Sequence, residues 1–284
     1  MGDTSNYAEG WPQGKLLRAG GVGEIVESRH PDRQVGDLIR GPLRWAEYAT
    51  VSGDQVTTVD PQPAPISTAL GVLGMPGRTA YFGMLEVAEP KAGETVMVSG
   101  AAGAVGSVAA QIAKMHDCRV IGTAGSDQKC TWLGNTAGID AAINYRTAES
   151  LGSALDAAAP DGIDVYFDNV GGEITDAVFP RLNTWSRVAV CGQIALYNVE
   201  GRPTGPRKLR GMIGRRTTVQ GFLVGDFSHR ASTAEDRLAD WMEQGVLSYE
   251  ETVTEGIEGS VDAFVGLFDG ENLGKQVVRV ADRC

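Results

Sequence analysis

Three glycines in Gly100-Ala-Ala-Gly-Ala-Val-Gly106, spaced G-x-x-G-x-x-G, are the first residues of this chain that could do chemistry. Glycines at such a turn let the backbone pass close to a pyrophosphate. A helix starting there offers free N–H groups and a partial positive charge. Ala102 stands where a glycine is usual in the dinucleotide fingerprint. The second signal lies about 20 residues on, where NAD-binding folds hold the ribose 2′-OH with an Asp or Glu. Here Gly122-Thr-Ala-Gly-Ser126 contains no acid, and Lys129 follows in position to neutralise a 2′-phosphate. A lone lysine more often sits on a solvated helix face, but the missing acid points to NADP(H). Asp127 is placed to cap a helix starting at Gln128.

These residues need a strand, a helix and a second strand around them. Thr95-Val-Met-Val-Ser99 reads as a buried strand before the turn. Val105, Val108, Ala109, Ile112 and Ala113 then recur at helical spacing, and Arg119–Thr123 completes a βαβ unit. Further strands are predicted at Ala141–Tyr145, Ile163–Asn169, Arg187–Cys191 and Thr217–Phe222, with helical segments at Ala148–Ala159 and Glu173–Leu182. Strands alternating with helices imply an α/β fold, a Rossmann-type doubly wound parallel sheet.

The flanks differ. Met1–Leu17 is polar and turn-rich, and Gly20–Glu27, Val35–Arg40 and Ala46–Val51 are short strand-like runs suggesting a small β-barrel. Pro61, Pro63 and Pro65 mark the way out of it, and a helical pattern starts at Ser67. After Asp226 come a helix at Glu235–Gln244 with Leu238, Trp241 and Met242 inward, a helix near Val261–Phe268 and a strand at Gln276–Val280.

A chain of 284 residues with net charge −11 can bury a large core, and its acidic surface disfavours nucleic acid and anionic membranes. Cys118, Cys130, Cys191 and Cys284 have no paired spacing, and there is no signal-peptide core or membrane-length apolar run. A reducing cytoplasm is the expected location. His30, His116 and His229 are scattered, so no metal is expected. Cys191 has no neighbouring His to activate it as a nucleophile.

The chain resembles the zinc-free branch of the medium-chain dehydrogenase/reductases: leukotriene hydroxydehydrogenases, prostaglandin reductases, alkenal double-bond reductases and bacterial curcumin reductases. The resemblance rests on GMPGRTAYFG at Gly74–Gly83, AAGAVGS at Ala101–Ser107, AGSDQK at Ala124–Lys129 and DNVGGE at Asp168–Glu173. CGQIALYN at Cys191–Asn198, VQGFLVGDF at Val219–Phe227 and ENLGKQVVRV at Glu271–Val280 complete it, in order. It implies a GroES-like substrate domain over 1–70, an NADP-binding domain over 71–224 and a return to the substrate domain over 225–284. Relatives also begin with a DPYMRG-like segment that has no counterpart here. The substrate domain is therefore expected to be N-terminally incomplete, with cofactor affinity kept and turnover poor.

The resemblance further implies NADP(H) contacts at Thr79 near the nicotinamide, Gly103, Ala104, Val105 and Gly106 on the pyrophosphate, and Lys129 and Tyr145 on the 2′-phosphate. It adds Asn169, Cys191, Gly192, Gln193 and Ile194 along the cofactor, Phe222, Leu223 and Val224 at the carboxamide, and Asn272 near the diphosphate. Tyr197 is the candidate catalytic residue. Hydride addition to the β-carbon of an enone or enal builds charge on the carbonyl oxygen, which a phenol O–H can stabilise. The alternative for Tyr197 is a hydrogen bond to the ribose. Rival functions are an NADPH:quinone reductase and a cofactor-binding protein with little catalysis. A homodimer is expected from the family alone.

Overall fold

The computed structural model describes residues 13–62 and 64–281. Pro63, Cys284 and the first twelve residues of the polar opening therefore lie outside the described residues. The chain opens with β1 (Arg18–Glu24), β2 (Leu38–Arg44) and β3 (Thr57–Thr58), an antiparallel sheet in that order. The strand expected over Ala46–Val51 is absent. Glu47 to Thr50 are exposed, so their alternation has no covered face to bury. The third strand is instead the polar pair Thr57–Thr58, which meets Ile39 and Arg40.

A 3₁₀ turn at Ile66–Leu70 leads into α1 (Met75–Phe82), which widens into a π-helical turn at Gly83–Ala88. There follow β4 (Thr95–Val98), α2 (Gly106–Met115), β5 (Arg119–Ala124), α3 (Asp127–Asn135), β6 (Ala141–Asn144), α4 (Leu151–Ala158) and β7 (Ile163–Asp168). The sheet continues with α5 (Gly172–Val178), β8 (Leu182–Val190), α6 (Leu209–Arg215) and β9 (Thr218–Gly221). These six strands are all parallel, in the order β6-β5-β4-β7-β8-β9.

Alternation explains the two layers. Val96 and Val98 point into one buried cluster with α2, while Met97 points into the other with Ile121, Ile143 and Tyr166. β8 starts earlier than the predicted Arg187. Leu182, expected to end a helix, is already in the strand, which accommodates a register shift against β7 and a positive φ of 65° at Trp185. The chain closes through α7 (Ala231–Glu243), β10 (Glu251–Glu255), α8 (Ser260–Asp269) and β11 (Lys275–Arg279). α7 buries Ala234, Leu238 and Trp241, whereas β10 and β11 form a separate parallel pair. No helix among the described residues is long and apolar enough to cross a membrane.

Candidate functional site

The order of strands reverses between β4 and β7, and the crevice outside their carboxyl ends is where such sheets bind ligands. The glycine turn occupies it. A Cβ built on Gly106 would lie 2.2 Å from Gly100 O, so only glycine lets α2 leave β4 this tightly. Gly103, Ala104 and Val105 form the accessible lip of the turn, above the buried Ala101 and Ala102. Ala102 takes the place of a glycine without blocking the turn because its methyl is buried. Its carbonyl accepts from Gly274 N–H at 2.8 Å.

At one end of the crevice Ser126 begins α3. Its backbone is extended (φ −155°, ψ 157°) and its hydroxyl accepts from Lys129 N–H at 3.3 Å. The cap is thus Ser126, one residue before the expected Asp127. Asp127 is already helical, and its carboxylate accepts from Asn144 Nδ2. Lys129 is buried, not on a solvated face, and its ammonium donates to Gly270 O at 2.6 Å. Burial and then the neighbouring Arg146 charge lower its pKa. Tyr145 stands just beyond β6, its hydroxyl 3.0 Å from where a Gly125 Cβ would be. Asn272 braces its own loop, with Nδ2 donating to Gly274 O at 2.7 Å.

The other end is organised by a carboxylate. Asp168, 1% exposed, receives Tyr166 Oη at 2.9 Å, Thr175 Oγ1 at 2.8 Å, Gly171 N–H at 2.9 Å and Gln193 Nε2 at 3.0 Å. Ser99 Oγ and Val170 N–H approach it at 3.3 Å. Burial, then the Asp168 charge, holds the Tyr166 phenol well above its ordinary pKa, so it remains a donor. Asn169 N–H donates to Ser99 Oγ at 2.8 Å, joining the ends of β4 and β7. The N–H groups of Cys191 and Gly192 both donate to Asp168 O. Burial, and then Asp168, push the Cys191 thiol up to about 12.

Ile194 opens a 3₁₀ turn capped at its C-terminal end by Tyr197, a residue 42% exposed whose Oη accepts from Gln193 N–H at 3.3 Å. Phe222 packs edge-on against Phe167, followed by exposed Leu223 and half-buried Val224. Thr79 is buried in α1 and donates to Met75 O at 2.7 Å, a bond kept within its own helix. Asn169, Cys191, Gly192, Gln193 and Tyr197 thus meet at one end, while Lys129, Tyr145 and the Asn272 loop meet at the other. Two residues at these ends were not singled out from sequence. Asp168 opens the DNVGG run and Arg146 directly follows Tyr145. The accessible glycine lip and a buried ammonium without a carboxylate partner among the described residues fit NADP(H).

A six-stranded parallel sheet with a glycine turn at its reversal point defines a dinucleotide-binding dehydrogenase-type protein. Residues 104–242 match the profile described as zinc-binding dehydrogenase, and residues 1–59 match that of the N-terminal domain of oxidoreductase. The chain is 49% identical over 284 residues to YfmJ of Bacillus subtilis, assigned as an NADP-dependent oxidoreductase, covering 99% of this chain and 84% of that one. It is 39% identical to the NADPH-dependent curcumin reductase of Escherichia coli, covering 99% and 83%. The crystal structure of CurA in complex with NADPH from Vibrio vulnificus superposes with a TM-score of 0.93 at 38% identity, covering 99% and 85%.

The chain therefore belongs to the medium-chain dehydrogenase/reductase family, in the NADP-dependent oxidoreductase group that also holds 2-alkenal and prostaglandin reductases. One profile takes its description from zinc. Among the described residues, no group of three or more His, Cys, Asp or Glu is arranged to hold a metal ion.

Proposed function

We propose that this protein reduces the activated carbon–carbon double bond of α,β-unsaturated ketones and aldehydes with NADPH. The observation that carries the reading is the presentation of Tyr197. A half-exposed phenol is held by Gln193 N–H at the end of β8, where the ends of β4 and β7 also converge. Relatives named as curcumin and 2-alkenal reductases add support. Gly103 to Gly106 would hold the diphosphate and Lys129 and Tyr145 the 2′-phosphate. Thr79, Asn169, Cys191 to Ile194 and Phe222 to Val224 would flank the nicotinamide half, with Asn272 near the diphosphate. Bound there, the cofactor supplies a hydride.

The substrate's β-carbon is the acceptor. As charge moves to the carbonyl oxygen, the Tyr197 hydroxyl donates to it and stabilises the enolate. Solvent then protonates the α-carbon, so the carbonyl survives. Asp168 keeps Gln193 and the Asn169 turn in place and touches no reacting atom.

We further propose a substrate domain over 1–70, a cofactor domain over 71–224, a returning segment over 225–284, and a cytoplasmic homodimer. The edge strand β9, exposed at all four residues, supports an association of copies. The deciding assay offers enones, enals, quinones and allylic alcohols with NADPH and NADH. NADPH-dependent formation of a saturated carbonyl product is expected. An allylic alcohol product, or turnover of quinones alone, would overturn the proposed chemistry.

A further inference from the structure

Lys129 and Arg146 bring two positive charges to Gly270, and neither pairs with a carboxylate among the described residues. The Lys129 ammonium donates to Gly270 O at 2.6 Å and the Arg146 guanidinium donates to Asp269 O. Both carbonyls lie at the C-terminal end of α8, whose partial negative charge favours cations. The two heads flank one point. A Cβ built on Gly270 would lie 3.7 Å from Arg146 Nη2 and 3.8 Å from Lys129 Nζ.

A Cβ built on Gly125 would lie 3.0 Å from Tyr145 Oη and 3.3 Å from Arg146 Nε. Ammonium, guanidinium and phenol hydroxyl therefore gather where β5 and β6 end. Burial first and the Arg146 charge second lower the Lys129 pKa, and a dianion beside both cations would offset that repulsion.

We propose that Arg146 is a second cation of the 2′-phosphate subsite and, with Lys129, sets the preference for NADP(H) over NAD(H). The proposal rests on the NADP(H) reading above and adds a residue to it. The two cations differ in kind. Lys129 is a point charge fixed by burial, whereas Arg146 is exposed and offers a planar fork that matches two phosphate oxygens. Of that fork, only Nη2 is engaged with protein in the hydrogen bonds of the described residues. A purely structural role would be to cap α8 through Asp269 O, and such a role would be blind to the 2′-phosphate.

Binding of adenosine 2′,5′-bisphosphate and of 5′-AMP should be measured by calorimetry on the full chain, Arg146→Ala, Arg146→Lys and Lys129→Ala. The unsubstituted chain should prefer the bisphosphate. Arg146→Ala should lower bisphosphate affinity about 10- to 100-fold and leave 5′-AMP unchanged, with Arg146→Lys recovering part of the loss. In turnover, KM for NADPH should rise while kcat holds. A chain that binds the two nucleotides equally without any substitution would overturn the NADP(H) reading, and the proposal with it. A preference retained in full by Arg146→Ala, or equal losses for both nucleotides, would overturn the role of Arg146 alone.

Discussion

The two ends of the crevice solve opposite problems. At one end two cations, Lys129 and the exposed Arg146, are gathered against carbonyls at the end of α8, beside the Tyr145 phenol. Near Asn169 a buried carboxylate is surrounded by hydroxyl, amide and backbone donors, and Gln193 and Tyr197 beside it are neutral. On the proposed reading one end recognises by charge, and its exposed Arg146 can be altered at little cost to the fold. The other end would recognise by position, and its Asp168 and Tyr166 are continuous with the core.

That contrast is most easily broken at Asp168. Asp168→Ala strands the Tyr166 and Thr175 hydroxyls, the Gln193 amide and Gly171 N–H in a buried space. It should cost about 3 kcal/mol or more in urea unfolding. Arg146→Ala should stay within about 0.5 kcal/mol. Similar losses from both would erase the distinction between the two ends.

A smaller effect is expected at Tyr197, which is presented by the positional end without being part of its core. Tyr197→Phe should lower kcat for an enone by at most about 10²–10³-fold and change KM little, as loss of one oxyanion donor would. Unfolding free energy should hardly move. If kcat at saturating NADPH is unchanged while chemistry limits the rate, the hydroxyl serves binding only.

The smallest response should come from Cys191. With its thiol pushed up to about 12, only about one molecule in ten thousand carries a thiolate at pH 8. The thiolate fraction grows as pH rises toward that value, so labelling by iodoacetamide should stay negligible at pH 7–8 and leave turnover unchanged. Rapid labelling of Cys191 in the folded protein would show that the positional end is open to water and charge.

Most of the frame was legible because parallel strands buried on both faces are continuous apolar runs, as in Thr95–Ser99, and α2 keeps a helical stripe from Val108 to Ala113. Runs without such burial were read less well. The run from Ala46 to Val51, exposed over Glu47 to Thr50, alternates without a partner face, and Thr57–Thr58 carries no apolar signal at all. Ser126 and Asp127 are both good caps by type, and only the backbone angle at Ser126 separates them. Lys129 could be suspected from the missing acid, yet its burial under Gly270 depends on a contact 141 residues along the chain. Asp168 was the least legible, since a single buried carboxylate makes no periodic pattern and its donors come from three stretches of chain, at Ser99, Tyr166–Thr175 and Gln193.

Gly274 gives the glycine turn a history as well as a shape. Its N–H bonds to Ala102 O, and Gly103 and Gly274 form a parallel bridge. At roughly 5–20 residues per second on the ribosome, residue 274 is made on the order of ten to thirty seconds after residue 103. The βαβ unit can form as soon as its own residues emerge, but the clasp over its turn must wait for that late arrival. A nascent chain is thus a half-made receptacle that closes only once this distant segment has been made.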